Sequence, residues 1–257
     1  MFKSYLETCI YPEKIFGGSF ERLPGVELHD LLECNFEISH QEFFTLRGKV
    51  EQSTRKLCMM WHAAEEAIKT EQNFYQSTIQ DAPALFGEDA VCLYYHLEAM
   101  VLFARSAMDV ASTAFGLTLP DPFVRKRYDS FNGLIKAIEK LDSYPLAEYF
   151  KPLRKDDVSW VSVIAGTERG RSLRDKIAHQ TDFPIDYIDI GEYTEKRHAV
   201  VLLDSKKIPL PDFTRNLCLG VLNGYLKLEE QSLHHIRNIE IDDGSSISLT
   251  LPSEPQR

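Results

Sequence analysis

Arg174, Asp175 and His179, within the run Arg174-Asp175-Lys176-Ile177-Ala178-His179, are the residues whose types and spacing suit proton transfer and phosphate chemistry. Histidine moves protons near neutral pH, and an arginine fork stabilises charge that builds on phosphoryl oxygens. Together they suit RNA cleavage, in which a 2′-hydroxyl attacks the adjacent phosphate, a reaction whose roles here call for neither a metal nor a cofactor. On a helix each residue turns by about 100°, so with Leu173 and Ile177 on the core side His179 lies about 140° away, and Asp175 points to the same outer side. Asp175 and His179 stand at i, i+4, where the carboxylate can orient the imidazole and raise its pKa. Arg171 precedes Asp175 by four and can pair with it, and with Arg169 it offers further contacts to phosphate. Arg174 and His179 diverge by about 140°, so two copies facing across a dimer axis suit one phosphate better than a single copy does.

The elements that must position these residues read as mainly helical. Phe43, Leu46, Val50, Leu57, Trp61, Ala64, Ile68 and Tyr75 recur every three to four residues, which predicts a long amphipathic helix over about 41–78. Residues 89–115 are apolar almost all round and predict a central buried helix. Its polar residues Glu98, Arg105 and Asp109 follow spacings of seven and four, so they share a face, and Arg105 can pair with Asp109. Charges in such a place need partners; the face reads as a supporting buried polar network, or else as the lining of a cleft. A short helix from Ser130, capped by Asp129 or Ser130, precedes another near 146–150. The helical region at about 157–180 is broken at Gly166 and Gly170 before the motif turns. Residues 185–190 and 199–204 are rich in branched side chains, and a hairpin return is expected after Asp204. Pro211 opens a last helix to about Arg237, and a second hairpin is expected around Asp243-Gly244.

The expected fold is therefore mainly α, an antiparallel helical bundle with a small β insertion at about 184–210 between the motif helix and the last helix. Residues 1–88 read as an N-terminal extension, 89–238 as the core and 239–257 as a tail. Hydrophobic residues make up 44% of the 257, enough for a substantial core. Cysteines at 9, 34, 58, 92 and 218 include no C-x-x-C pair and read as reduced thiols, with no structural metal expected. Neither a signal peptide nor a membrane span is read, so the expected location is cytoplasmic. The net charge of -10 argues against broad, nonspecific nucleic-acid binding, yet residues 121–180 hold 12 Lys and Arg against 9 Asp and Glu. Within that stretch lie Arg125-Lys126-Arg127, Lys151 with Arg154-Lys155, and Arg169, Arg171 and Arg174, each either a phosphate contact or a solvated helix face.

Arg174, a polar residue, three more residues and His179 resemble the R-x4-6-H signature of the HEPN superfamily. The resemblance extends over roughly 89–179, because that family carries the motif on a late helix after an earlier long one of the kind LEAMVLFARSAMDVASTAFG. It implies a metal-independent endoribonuclease with no cofactor and a homodimer whose two motifs form one cleft. Arg174, His179 and Asp175 occupy its catalytic positions, and toxin-antitoxin or antiviral roles imply an antitoxin or regulatory protein as partner. The family also has members without nuclease activity, so a helical interaction module that dimerises and binds a protein is the alternative.

Other groupings carry less. His62, Glu65 and Glu66 share a helix face and imitate metal ligands, but HExxH order and a third ligand are lacking, and a solvated face accounts for them. His234-His235 suits a helix C-terminus. No P-loop, dinucleotide fingerprint or serine nucleophile elbow is present.

Overall fold

A computed structural model describes residues 24–29, 40–77, 88–119, 124–141, 143–167, 170–179, 182–186 and 199–243; for 40–45, 76–77, 89, 179 and 235–243 it describes the backbone alone. Seven helices follow a helical turn at 26–29 among these residues: α1 His40–Ser77, α2 Glu88–Leu117, α3 Phe131–Ile138, α4 Pro145–Lys155, α5 Trp160–Ala165, α6 Leu173–His179 and α7 Leu210–Asp243. Between α6 and α7 lie β1 Ile185–Asp186, β2 Val200–Leu203 and β3 Lys206–Pro209, an antiparallel sheet in the order β1-β2-β3. The protein is mainly α with a small sheet inserted before the last helix, as the periodicities predict.

The long pair α1 and α2 forms the spine. Lys56 lies over the Phe103 ring while Glu66, further along α1, senses His96, earlier on α2, so the two helices run antiparallel. Leu57, Met60, Trp61, Ala64 and Ala67 of α1 meet Leu93, Leu97, Met100, Ala104 and Ala107 of α2 in one hydrophobic core. Alanines on both sides let the axes approach closely, and complete burial of Trp61 contributes about 2–3 kcal/mol. The core does not divide at residue 88: it runs from the helical turn at 26–29 through α1 to α7. Buried Glu229 of α7 accepts hydrogen bonds from the Gly25 and Leu28 amides at 3.1 and 3.2 Å, which ties that early turn to the last helix.

Helix α2 is not buried all round. It is long and apolar enough to cross a membrane by length and composition, but 61% of its most apolar window is buried inside the protein, which marks it as a core helix. Val91, Tyr95 and Leu102 nevertheless face outward. In the sheet, β2 and β3 pair Leu203 with Lys206 around a two-residue turn. Asp204 and Ser205 both have positive φ (43° and 69°), the pattern of a tight hairpin turn that follows strand twist. The sheet is anchored where the Ala199 amide donates to buried Glu71 of α1 at 2.6 Å. The last helix continues to Asp243 instead of ending near Arg237, so residues 239–243, expected as the first arm of a hairpin, are helical. The second arm lies outside the described residues.

Candidate functional site

The motif helix is placed by a chain of packing that starts at Trp160. Gly220 and Gly224, one turn apart on α7, leave a flat seat for the indole: a Cβ at either would come within 2.3–2.4 Å of the Trp160 ring. Trp160 also stacks on Phe131 with centroids 5.7 Å apart. Helix α5 is thereby fixed, and Gly166, at φ 81°, turns the chain out of it; a Cβ there would meet the Gly170 carbonyl at 2.7 Å. The expected break before the motif is this turn. Ser172 then starts α6, its Oγ accepting from the Asp175 amide at 3.1 Å. With Asp175 three residues on, Ser172 and Asp175 form a capping pair, a signal present in the sequence as Ser-x-x-Asp that the functional reading passed over.

Leu173 is buried and Ile177 packs against the core, so α6 faces inward along the stripe that the spacing predicts. Arg174 and Asp175 are half-exposed, and Arg174 Nη1 lies 3.0 Å from Asp175 Oδ1. Partial burial opposes the charge on Asp175, yet the Ser172 hydroxyl, the Arg174 guanidinium and the positive field of Arg105 hold its carboxyl below the usual aspartate value. The carboxylate is thus engaged by Ser172 and Arg174, not by Arg171, which is exposed and precedes the helix. The His179 backbone closes α6; its side chain, with the expected Asp175–His179 contact, lies outside the described residues, as does Arg169.

The polar face of α2 backs this helix. Arg105 Nε donates to Asp109 Oδ2 and Nη1 to the Ile164 carbonyl, both at 2.7 Å. Asp109 Oδ1 accepts from the Phe131 amide at 2.7 Å. One ion pair therefore closes the C-terminal end of α5 and the N-terminal end of α3, where backbone groups lack intrahelical partners. Glu98 does not join it. Seven residues from Arg105 is about 10.5 Å along a helix axis, and Glu98 instead lies in the electrostatic reach of Asp182 and the Phe183 backbone, just beyond the motif. Burial and the charge of Asp182 raise its pKa. The expected single buried network is in fact one part-buried ion pair, Arg105 with Asp109, with Glu98 standing apart from it.

The basic clusters separate in space by role. Arg154 is buried and paired with Glu139, and Arg125 donates to the Leu119 carbonyl at 2.7 Å, so both serve the fold. Lys126 sits over the Tyr128 ring. Arg171 and Arg174 remain accessible beside the motif. On the far side of α2, the side chains of His62, Glu65 and Glu66 gather on α1 with the spacing of metal ligands. No family model matches the chain, and no curated protein or solved structure is found to be similar to it.

Proposed function

We propose that this chain is a metal-independent endoribonuclease of the HEPN type that acts as a homodimer. The observation that carries the reading is the placement of Arg174: half-exposed at the start of α6, oriented by Asp175, with α2 behind and His179 ending the same helix. In the reaction, His179 takes the proton from a ribose 2′-hydroxyl as its oxygen bonds to the neighbouring phosphorus. The bond to the 5′-oxygen breaks, that oxygen takes up a proton, and a 2′,3′-cyclic phosphate remains. Arg174 stabilises the charge on the phosphoryl oxygens, and Asp175 positions Arg174. Val91, Tyr95 and Leu102 lie on the same side of α2 as Glu98 and Arg105 and are exposed, which suits them to seat a second copy beside the motif. An antitoxin or regulatory protein would act by covering that surface.

The test is cleavage of single-stranded RNA by purified protein. Arg174→Ala and His179→Ala each should abolish cleavage with the melting temperature unchanged, and a mixture of the two variants should recover part of it through mixed dimers. Wild-type cleavage rates in either variant would refute the assignment. A second reading is favoured by the saturation of Asp175, whose cap and ion pair need no reaction to explain them. In it the chain is a non-catalytic helical module whose acidic surface binds a protein, and purified protein leaves RNA intact.

A further inference from the structure

Among the described residues, one group of histidine and carboxylate side chains brings its donor atoms together: His62, Glu65 and Glu66, with one ligand atom from each within 4.8 Å of the others. The spacing i, i+3, i+4 puts all three on one face of α1, and His62 with Glu66 repeats the one-turn separation at which helical side chains share a metal. His96 of α2 carries a second imidazole within electrostatic reach of the group. The charges of Glu66 and His62 both act on His96, which is part-buried between the helices. The two carboxylates are held together by Lys69, whose Nζ lies 3.0 Å from Glu65 Oε1 and 2.9 Å from Glu66 Oε1. Lys69 is more than half exposed on a flexible stem, so this cation is readily exchanged. The other Glu65 oxygen, Oε2, is shut off from solvent and has no hydrogen-bond partner. A buried carboxylate oxygen without a donor leaves a place for a cation, and an imidazole in the same group selects among cations.

We propose that His62, Glu65, Glu66 and His96 bind a divalent transition cation of the zinc class, which displaces the Lys69 ammonium and staples α1 to α2. Imidazole nitrogen and carboxylate oxygen are both zinc ligands, held at about 2.0–2.2 Å, so the side chains rotate inward when the ion enters. Magnesium is disfavoured, since it takes oxygen ligands and gives up its water reluctantly. The site is structural in purpose. His96 and Arg105 are nine residues apart, about 180° around α2, which sets the ion on the face opposite the one that backs the motif and makes the proposal independent of any ribonuclease activity.

The experiment uses the full chain, stripped with a chelator and titrated with zinc chloride by calorimetry, with magnesium chloride as the control. Expected are one zinc per chain, a melting temperature raised by several degrees with zinc, and no response to magnesium. Cobalt should give the intense visible bands of a tetrahedral site. His62→Ala and Glu66→Gln should remove binding. His96→Ala should weaken it at least tenfold, and Lys69→Met should strengthen it several-fold because the competing ammonium is gone. Absence of zinc binding, equal binding of magnesium, or affinity unchanged in His62→Ala and His96→Ala would overturn the proposal. So would weaker binding in Lys69→Met. Because His62 and Lys69 are exposed, their variants retain the fold, as unchanged far-ultraviolet circular dichroism without metal will verify.

Discussion

The two polar sides of α2 spend their charges differently. On the motif side, Arg105 and Asp109 pair with each other and also reach beyond their own helix to backbone groups, the Ile164 carbonyl and the Phe131 amide. On the α1 side, Glu65 and Glu66 pair with Lys69 on the same helix, at spacings of four and three. The first kind of contact joins distant stretches of chain and satisfies groups that otherwise lose water without replacement, so it decides where the motif sits. The second leaves the fold much as it would be without it, because exposed pairs one turn apart contribute little. Charges that complete the backbone are committed to architecture, whereas charges that only balance one another remain available for a ligand.

Four substitutions test this contrast, beginning with the largest effect. Trp160→Ala removes the ring that lies across Gly220 and Gly224 and should cost about 3–5 kcal/mol in urea unfolding, since two glycines cannot refill the space. A loss below about 1 kcal/mol would show that α5, and with it the motif, is anchored elsewhere. Arg105→Ala leaves the Ile164 carbonyl without its donor and Asp109 without its counter-ion and should cost about 2–3 kcal/mol. In metal-free protein Glu66→Gln should stay within about 0.5 kcal/mol; equal losses for the two would erase the distinction between the faces. Ser172→Ala removes the α6 cap and should cost about 1 kcal/mol.

The same substitution has a pH signature. The folded pKa of Asp175 lies below its unfolded value, so its stabilisation is complete above the unfolded value and is lost as pH falls through the folded one. Ser172→Ala should raise the folded value and narrow that window. Carbon-13 titration of the Asp175 carboxyl reads both midpoints, and a midpoint that does not move would assign the shift to Arg174 and Arg105 alone.

Much of the architecture is legible along the chain. The stripe of α1, the inward Leu173 and Ile177 of α6, the break at Gly166 and the return at Asp204-Ser205 all follow from side-chain period and local backbone preference. The extent of α7 is not, because branched residues after Arg237 suit a strand as well as a helix, and the backbone at 239–243 is helical. Arg154 read as a surface cation because nothing nearby in sequence announces Glu139, fifteen residues earlier, as its partner. His62, Glu65 and Glu66 were visible as a helical face, but His96 comes within reach of their charges only when α2 folds back on α1.

For the motif the division is sharper. The sequence by itself determined that Arg174, Asp175 and His179 occupy one helical segment with an apolar inner stripe, since a helix carries its angular order in its residue spacing. It also placed Arg105 next to Asp109. Only the tertiary structure decided that Arg105 lends its field to Asp175 from another helix, that Arg105 and Asp109 take backbone partners at Ile164 and Phe131, and that Glu98 stands outside their ion pair. Those outcomes depend on which backbone ends arrive beside α2 without partners. Spacing orders side chains around a helix, but the cost of an unpaired buried group, paid where elements meet, selects what each charge touches.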